Sequence, residues 1–321
     1  MGISRNKMRL AILADVHGNL PALEAVLADL EQQKVDGILV AGDTVDGPFP
    51  LETLQALRAR RSWMIRGNRE KYLLAYDSGN VPPTWRSGDH YSGLRWIYRR
   101  LDREALDFIS SLPEQRTYAL EGAAAIRVVH GAPQGVSALL LPDRATDLLG
   151  LFDKVGLTDL GYRHVTLDEA FAQTSEPVLI CGHSHIAWQQ QWNGRLVLNP
   201  GSVGAPLNGD VRAQYALLTW QDGCWQAEHR AIGYDLNRIR VAYEESGLLA
   251  EGGVFTRAWL LTIETARNVS GWLVAHVSRL AAHAGFEDWD SIPAAIWSQA
   301  AVTFDWEAAC AGRPPSREET R

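Results

Sequence analysis

The hydrophobic pattern of the first third of the chain repeats one unit. RLAILA at 9–14 is a short apolar run of the kind a buried strand makes, and Gly18-Asn19 breaks it. LPALEAVLADLEQQ follows at helical spacing, with Leu20, Leu23, Val26, Leu27 and Leu30 on one face. A second run, GILVAG at 37–42, ends on Asp43, and a turn rich in Gly and Pro (DGPFP) leads into the helix LETLQALRAR. A third run, SWMIRG, ends on Asn68. Strand, loop and helix in this order predict an α/β layered fold. In such folds the loops after the strand C-termini converge, and ligand sites form there.

The second half carries a shorter period. Residues 115–130 read as a strand pair, and PVLICGHSH at 177–185 as a strand ending on histidines. IAWQQQW, RLVLN, QYALLTW and CWQAEHRAI follow with short turns between them. Trp188, Gln190 and Trp192 alternate with Ala187, Gln189 and Gln191, the period of a strand with two unlike faces. This half predicts a second sheet packed on the first. Residues 78–100 fit neither period, mix aromatics with arginines, and read as an insertion lying over the site as a lid. Residues 134–164 form another irregular stretch between two segments that carry candidate ligands.

From about Tyr234 the chain turns helical, with a joint at GLLAEGGV (247–254). Val269, Leu273, His276, Val277 and Leu280 then recur at helical spacing in a tail that contains Trp259, Trp272, Trp289, Trp297 and Trp306. The expected division is a domain over 8–247, a Trp-rich helical extension over 254–310 and a disordered tail over 311–321. The extension reads first as packed helices. A homo-oligomer interface is its sharper reading, since exposed aromatic helices seek partners.

Composition narrows the partners. With 46% hydrophobic and 21% charged residues among 321, the chain has the make-up of a globular protein. Its net charge of -7, without a long Lys or Arg run, disfavours duplex nucleic acid, whereas a small phosphorylated substrate stays compatible through a bound metal pair. Cys181, Cys224 and Cys310 have neither paired nor zinc-like spacing, which suits a reducing cytoplasm. The N-terminal apolar stretch lacks the features of a signal peptide, and no run is long enough to span a bilayer.

The polar residues that close the apolar runs carry the chemistry. In ADVHGN, Asp15 and His17 stand two apart, which on a strand puts both on one side of a shared ion. Asp43 and Asn68 end neighbouring strands, His130 closes AAIRVVHG, and CGHSH adds His183 and His185. Histidine nitrogen with carboxylate oxygen and no thiolate suits Mn, Fe, Co, Ni or Zn better than Ca or Mg. Seven donors exceed one tetrahedral ion but suit two that share Asp43, held roughly 3.5–4 Å apart. His164, His229, His276 and His283 lack such partners in sequence and read as structural or surface residues.

The ordered blocks DVHGN, GDTVDGP, GNRE, VVHG, GHSH and NPGSVG resemble those of the calcineurin-like metallophosphoesterase superfamily over about residues 8–235. The match is to its small bacterial and archaeal phosphodiesterase (YfcE-like) branch. The resemblance implies a four-layer αββα sandwich, an α/β (α+β) fold. It also implies two divalent transition-metal ions, manganese first among them. Asp15, His17, Asp43 and His185 would hold one ion; Asp43, Asn68, His130 and His183 would hold the other. The implied activity is hydrolysis of small phosphate diesters by metal-activated hydroxide, with Asp43, Arg69 and His130 as catalytic residues and Asn19, Arg69 and His90 as substrate contacts. One position departs from the pattern: the third block often reads Gly-Asn-His, and here Arg69 replaces the histidine that helps protonate the leaving group. Arginine keeps its proton, so it serves as a phosphate clamp and not as an acid. The alternatives on this pattern are a phosphomonoesterase, a nuclease, or a non-catalytic scaffold, and the filled ligand positions favour an enzyme.

Overall fold

A computed structural model describes residues 7–144, 148–158 and 160–313. The strands in chain order are β1 (Lys7–Leu13), β2 (Gly37–Ala41), β3 (Trp63–Ile65), β4 (Gln115–Tyr118), β5 (Ile126–Val129) and β6 (Leu139–Leu140). They continue as β7 (His164–Val165), β8 (Val178–Ile180), β9 (Ala187–Trp192), β10 (Arg195–Pro200), β11 (Ala213–Gln221) and β12 (Cys224–Ile232). Two five-stranded sheets result, in the orders β12-β11-β1-β2-β3 and β4-β5-β8-β10-β9, with a small sheet of β6 and β7 beside them.

The two large sheets face each other through Leu10, Ile12, Leu39 and Ile65 on one side and Val128, Ile180 and Leu198 on the other. Burying each such side chain contributes about 1.5–3 kcal/mol. The helix Leu20–Gln33 packs Leu23, Val26 and Leu27 onto the outer face of the first sheet, with Leu13, Val40 and Leu217. The helices Leu148–Lys154 and Leu167–Ala172 cover the second sheet through Phe152, Leu167 and Phe171. Helices outside two stacked sheets give the four-layer αββα sandwich that the motif order implied.

The sheet assignment of the second half needs one correction. β11 and β12 do not extend a second sheet; β11 pairs antiparallel with β1, from Lys7 opposite Gln221 to Ile12 opposite Ala216, and so joins the first. The reason is burial on both faces: Ala213 to Leu218 are all buried, a run that only an interior position can accommodate. The segment 78–100 is also more regular than its sequence suggests. It folds as short helices Thr84–Ser87 and Ser92–Tyr98 around a 3-10 turn at Asp89–Tyr91. Helices of four and seven residues make too few turns for a period to show.

The C-terminal helices Gly253–Thr265, Val269–His283, Ala294–Thr303 and Trp306–Cys310 share a core of Trp272, Leu273, Val277, Ile296, Trp297 and Phe304. Leu260 and Ile263 of the first of these helices reach into the core of the main sandwich. Trp272 and Trp297 are buried within the chain, so these aromatics give no separate argument for a second copy. The disorder expected over 311–321 falls outside the described residues from 314 onward, as do residues 1–6. No helix among the described residues is long and apolar enough to cross a membrane.

Gly204 marks where the two halves meet. Its amide donates to the Asp15 carbonyl at 3.0 Å, and a Cβ there would stand 2.0 Å from the Val16 carbonyl oxygen. Gly204→Ala is expected to lower stability by about 1–3 kcal/mol through this overlap. The check is a lower urea midpoint with an unchanged slope. An unaltered midpoint would show that the loop yields freely.

Candidate metal centre

The residues after β1, β2 and β8 leave the strand conformation before they reach the site. Asp15, His17, Asp43, His183 and His185 all have positive φ, between 48° and 65°. The alternation expected for a D-x-H or H-x-H pair on a strand therefore does not apply: β1 ends at Leu13 and β8 at Ile180. The left-handed turns are what bring these side chains together. Each such conformation costs a non-glycine residue on the order of 1–3 kcal/mol, and it persists only where neighbours hold it.

The neighbours here are backbone groups. The Asp15 amide donates to the Gly42 carbonyl at 3.1 Å and the His17 amide to the Asp43 carbonyl at 3.0 Å. Gly42 and Gly67 let the loops close, since a Cβ on Gly42 would sit 2.8 Å from His130 Nδ1 and one on Gly67 would sit 2.2 Å from Asp43 Oδ1. Asn68 opens the helix Asn68–Ser78 directly after β3.

Two groups of buried donors result: Asp15, His17 and His185, and Asp15, Asp43 and His130, the ligand atoms of each group lying within 4.8 Å of one another. His17 Nε2 and His185 Nε2 are 3.1 Å apart. His185 Nε2 is 3.4 Å from Asp15 Oδ1, and His130 Nε2 is 3.4 Å from Asp43 Oδ2. Asn68 Oδ1 lies 3.0 Å from His130 Nε2. His183 borders the same cavity; its Nε2 is buried without a partner among the described residues, while its amide donates to Asp15 Oδ2 at 3.0 Å.

The tautomers decide what these contacts mean. His130 Nδ1 donates to the Ala41 carbonyl at 2.7 Å, and His185 Nδ1 donates to the Ala205 carbonyl at 2.6 Å. His17 Nδ1 points to Asp46 Oδ2, 3.5 Å away. In the neutral rings Nε2 of His130 and of His185 then carries a lone pair, the first facing carboxylate and amide oxygens and the second facing His17 Nε2. Such an array calls for a cation or a proton in the middle. Without a metal the site recruits protons: burial opposes charge on His130, but Asp43 and Asp15 push its pKa up to about 10. Burial and His130 together push His183 down to about 3. Burial also opposes the charge on Asp43, yet His130 and His17 hold its carboxyl well below the usual range. The donor set fits divalent cations of the transition series.

Two carboxylates support this centre that the sequence pattern left without a role. Glu70 is buried and accepts the backbone amides of Asp43, Thr44, Val45 and Gly67 at 3.0, 2.7, 3.1 and 2.7 Å. Burial and Asp43 push its pKa up to about 7. Asp46 is bonded to Arg69 Nε at 2.7 Å and faces His17. Both lie inside quoted blocks, GDTVDGP and GNRE, which was the available signal.

The expected substrate contacts fall in different places. Arg69 lines a cavity of about 580 Å³ in front of the metal donors, and so does His90. Asn19 does not: it is fully buried, caps the helix Leu20–Gln33 by accepting from Ala22 N at 3.2 Å, and donates to the Gly204 carbonyl and the Tyr234 hydroxyl. All its polar atoms are engaged inside the fold, which makes it a support of the loops. The sequence also gave no sign of Trp259, whose ring stands edge-on to His17 at 5.0 Å and to His185 at 5.9 Å. Tyr162 meets His183 edge-on at 4.9 Å. Cys181, beside the ligand loop, is buried and its thiol is pushed up to about 12, so it is no nucleophile.

The profile of the calcineurin-like phosphoesterase superfamily domain matches residues 8–223. The chain belongs to the calcineurin-like phosphoesterase superfamily. It is 27% identical over 242 residues to an uncharacterised protein of Methanocaldococcus jannaschii, an alignment covering 74% of this chain and 92% of that one. Its fold is similar to that of a metallophosphoesterase from Sphaerobacter thermophilus (25% identity, TM-score 0.56, 76% of this chain and 97% of that one). A hypothetical protein from Pyrococcus horikoshii shares the fold at 19% identity (TM-score 0.57, 75% and 94%). About a quarter of this calcineurin-like chain thus lies outside each of these matches, and the family profile ends before the C-terminal helices.

Glu70→Ala would leave four buried backbone donors without their acceptor, at about 1–3 kcal/mol each before relaxation. The expected outcome is a loss of stability above roughly 2 kcal/mol and metal affinity lowered about 10–100-fold. Chemical unfolding together with metal titration reads both. Wild-type metal affinity in a folded Glu70→Ala protein would remove Glu70 from the support of Asp43.

Proposed function

We propose that this protein is a phosphodiesterase that hydrolyses small phosphate diesters with two divalent transition-metal ions, manganese first and iron, nickel, cobalt or zinc as alternatives. The observation that carries this reading is the pair of histidine nitrogens 3.1 Å apart beside two buried aspartates. Asp15, His17, Asp43 and His185 are assigned to one ion, and Asp43, Asn68, His130 and His183 to the other. Asp43 suits the bridge, since its Oδ2 is 3.4 Å from His130 Nε2 and 3.8 Å from His17 Nε2. When bound, such a pair polarises phosphoryl oxygens and lowers the pKa of water toward about 7.

The chain supplies orientation and charge. Arg69 stays protonated, since Asp46 and Asp43 raise its pKa further against the cost of burial. With Nε on Asp46, its terminal nitrogens serve the non-bridging oxygens of the phosphate. Arg69 is the one Lys or Arg among the described cavity-lining residues. A diester, with a single negative charge, suits that balance better than a doubly charged monoester. His130 acts as a ligand, because its remaining proton is held by the Ala41 carbonyl. Without an imidazole in the place of Arg69, esters whose leaving group needs no proton are favoured. A reducing cytoplasm is the compartment we assign, in keeping with the three free cysteines.

The test is to strip the metals and restore Mn, Fe, Ni, Co or Zn in turn. Hydrolysis of bis- and mono-(p-nitrophenyl) phosphate is then compared. Activity should return with at least one metal and favour the diester. Asp43→Asn should abolish both activities and lower the metal stoichiometry. Arg69→Ala should lower kcat roughly 10²–10³-fold, the range for removing one charge-stabilising donor. Turnover unchanged by Arg69→Ala would remove the clamp. Full metal occupancy with no hydrolysis under any metal would favour a non-catalytic scaffold.

A further inference from the structure

In the proposed centre Arg69 and the cations serve the non-bridging oxygens of the phosphate. The ester oxygen, where charge collects as its bond to phosphorus breaks, is left without a partner. The irregular stretch 134–164 brings a side chain to that cavity. Gly161, at φ 71°, turns the chain, and the pairing of Leu139 with His164 and of Leu140 with Val165 in the small sheet holds the backbone that follows. Tyr162, between these two features, lines the cavity and sets its ring edge-on against His183 at 4.9 Å. Asp43 and Arg69 lie within electrostatic reach of its hydroxyl.

Few hydroxyls around the cavity are free to meet a ligand. That of Tyr91 is spent on Asp290, and that of Thr256 on the Gly252 carbonyl at 2.8 Å. Ser270 meets Thr262 at 3.2 Å, and the Tyr243 hydroxyl is enclosed by protein. Tyr72, Tyr162 and Ser278 remain. Tyr72 and Ser278 are exposed, and the Tyr72 ring packs against Trp85 and Arg69. Tyr162 is half-buried; its hydroxyl has no partner among the described residues and is not enclosed. It belongs to the residue that touches the donor His183. A ring resting on His183 needs no hydroxyl, since phenylalanine would fill the same place. The polar atom is what asks for a ligand.

We propose that Tyr162 is a further catalytic residue of this site, and that its hydroxyl donates a hydrogen bond to the departing ester oxygen. The proposal rests on the phosphoesterase reading of the same site and adds a residue to it. Hydroxide bonds to phosphorus, the bond from phosphorus to the ester oxygen breaks, and its electron pair stays on that oxygen. Tyr162 hydrogen-bonds the resulting anion and keeps its own proton. Once released, the anion takes a proton from solvent water, which returns the hydroxide consumed. A hydrogen bond to a charged oxygen is stronger than one to a neutral oxygen, so the contribution of Tyr162 grows with the charge left on the leaving group. The missing imidazole is not replaced, because no proton is transferred. Esters with acidic leaving groups stay favoured.

The test is a leaving-group series on the metal-loaded full chain: aryl methyl phosphates whose phenol runs from 2,4-dinitrophenol to phenol itself. Tyr162→Phe removes the hydroxyl and keeps the ring on His183. It is expected to lower kcat roughly 10–100-fold for the phenyl ester and little for the dinitrophenyl ester. The dependence of log kcat on leaving-group pKa therefore becomes steeper, which a merely structural role would not produce. Metal stoichiometry and the urea midpoint should match those of the wild type, and Tyr72→Phe should leave the slope unchanged. A loss of equal size across the series, or no loss at all, would overturn the proposal. A steeper slope in Tyr72→Phe alone would overturn it in favour of Tyr72. Loss of metal from Tyr162→Phe would reduce Tyr162 to a support of His183. Each of these results can occur while bis(p-nitrophenyl) phosphate is still hydrolysed, so the failure of this inference and that of the parent reading are separable.

Discussion

The structure depends on bringing several electron-pair donors to one buried point. His17 and His185 present Nε2 to each other at 3.1 Å, and His130 presents Nε2 to carboxylate and amide oxygens. In an interior of low dielectric such an arrangement needs a cation or protons among the donors, and unpaired buried polar groups are costly there. The chain holds the donors in place with backbone groups. Carbonyls of Ala41 and Ala205 fix two of the rings from behind. Glu70 gathers four amides of the Asp43 loop and of Gly67. The left-handed turns at five of the seven donors are the geometric form of the same constraint. A cation bound at that point would be attracted to all of these donors at once, and its affinity would be set against the strain of the loops.

This constraint explains why the αββα frame carries its burden at one edge. β1, β2 and β3 are parallel and end together, and β5 and β8 of the facing sheet end at the same rim. Five chain segments can then deliver one or two donors each over short loops. The glycines are placed where those loops cross: Gly42 against His130 and Gly67, Gly204 against Val16. None of these contacts would tolerate a Cβ without moving a ligand-bearing loop. Rigidity of the site and tight packing of the rim are thus the same property.

Much of this was legible in the sequence, and unevenly. The apolar runs ending on Asp and His located the first-sheet core strands and the residues that the fold gathers into two buried clusters, Asp15, His17 and His185, and Asp15, Asp43 and His130, because a buried strand and a polar residue closing it each leave a strong compositional mark. The alternation argument for Asp15 and His17 reached the right pair by the wrong geometry: the residues follow the strand in left-handed backbone, which no side-chain pattern announces. β11 and β12 were misplaced because pairing partners separated by some two hundred residues leave no local signal; only the burial of both faces of β11 would have given it away. Asn19 was misread because a helix cap and a substrate contact look alike in a loop. Trp259 was beyond reach, since its place beside His17 arises from packing across the whole chain.

The replacement of a histidine by Arg69 is best understood together with Asp46 and His17. Asp46 bonds Arg69 Nε at 2.7 Å and faces His17 Nδ1 at 3.5 Å, so one carboxylate meets both the proposed metal donor and the proposed phosphate clamp. A histidine in place of Arg69 would be free to exchange its proton with the leaving group. An arginine tied in this way cannot, but it keeps its charge at every working pH and holds a fixed direction. On the proposed reading, the site gives up proton donation in return for a permanent charge held in one direction by Asp46. Leaving-group chemistry would then rest on the choice of ester, since the arginine beside the donors has no proton to give.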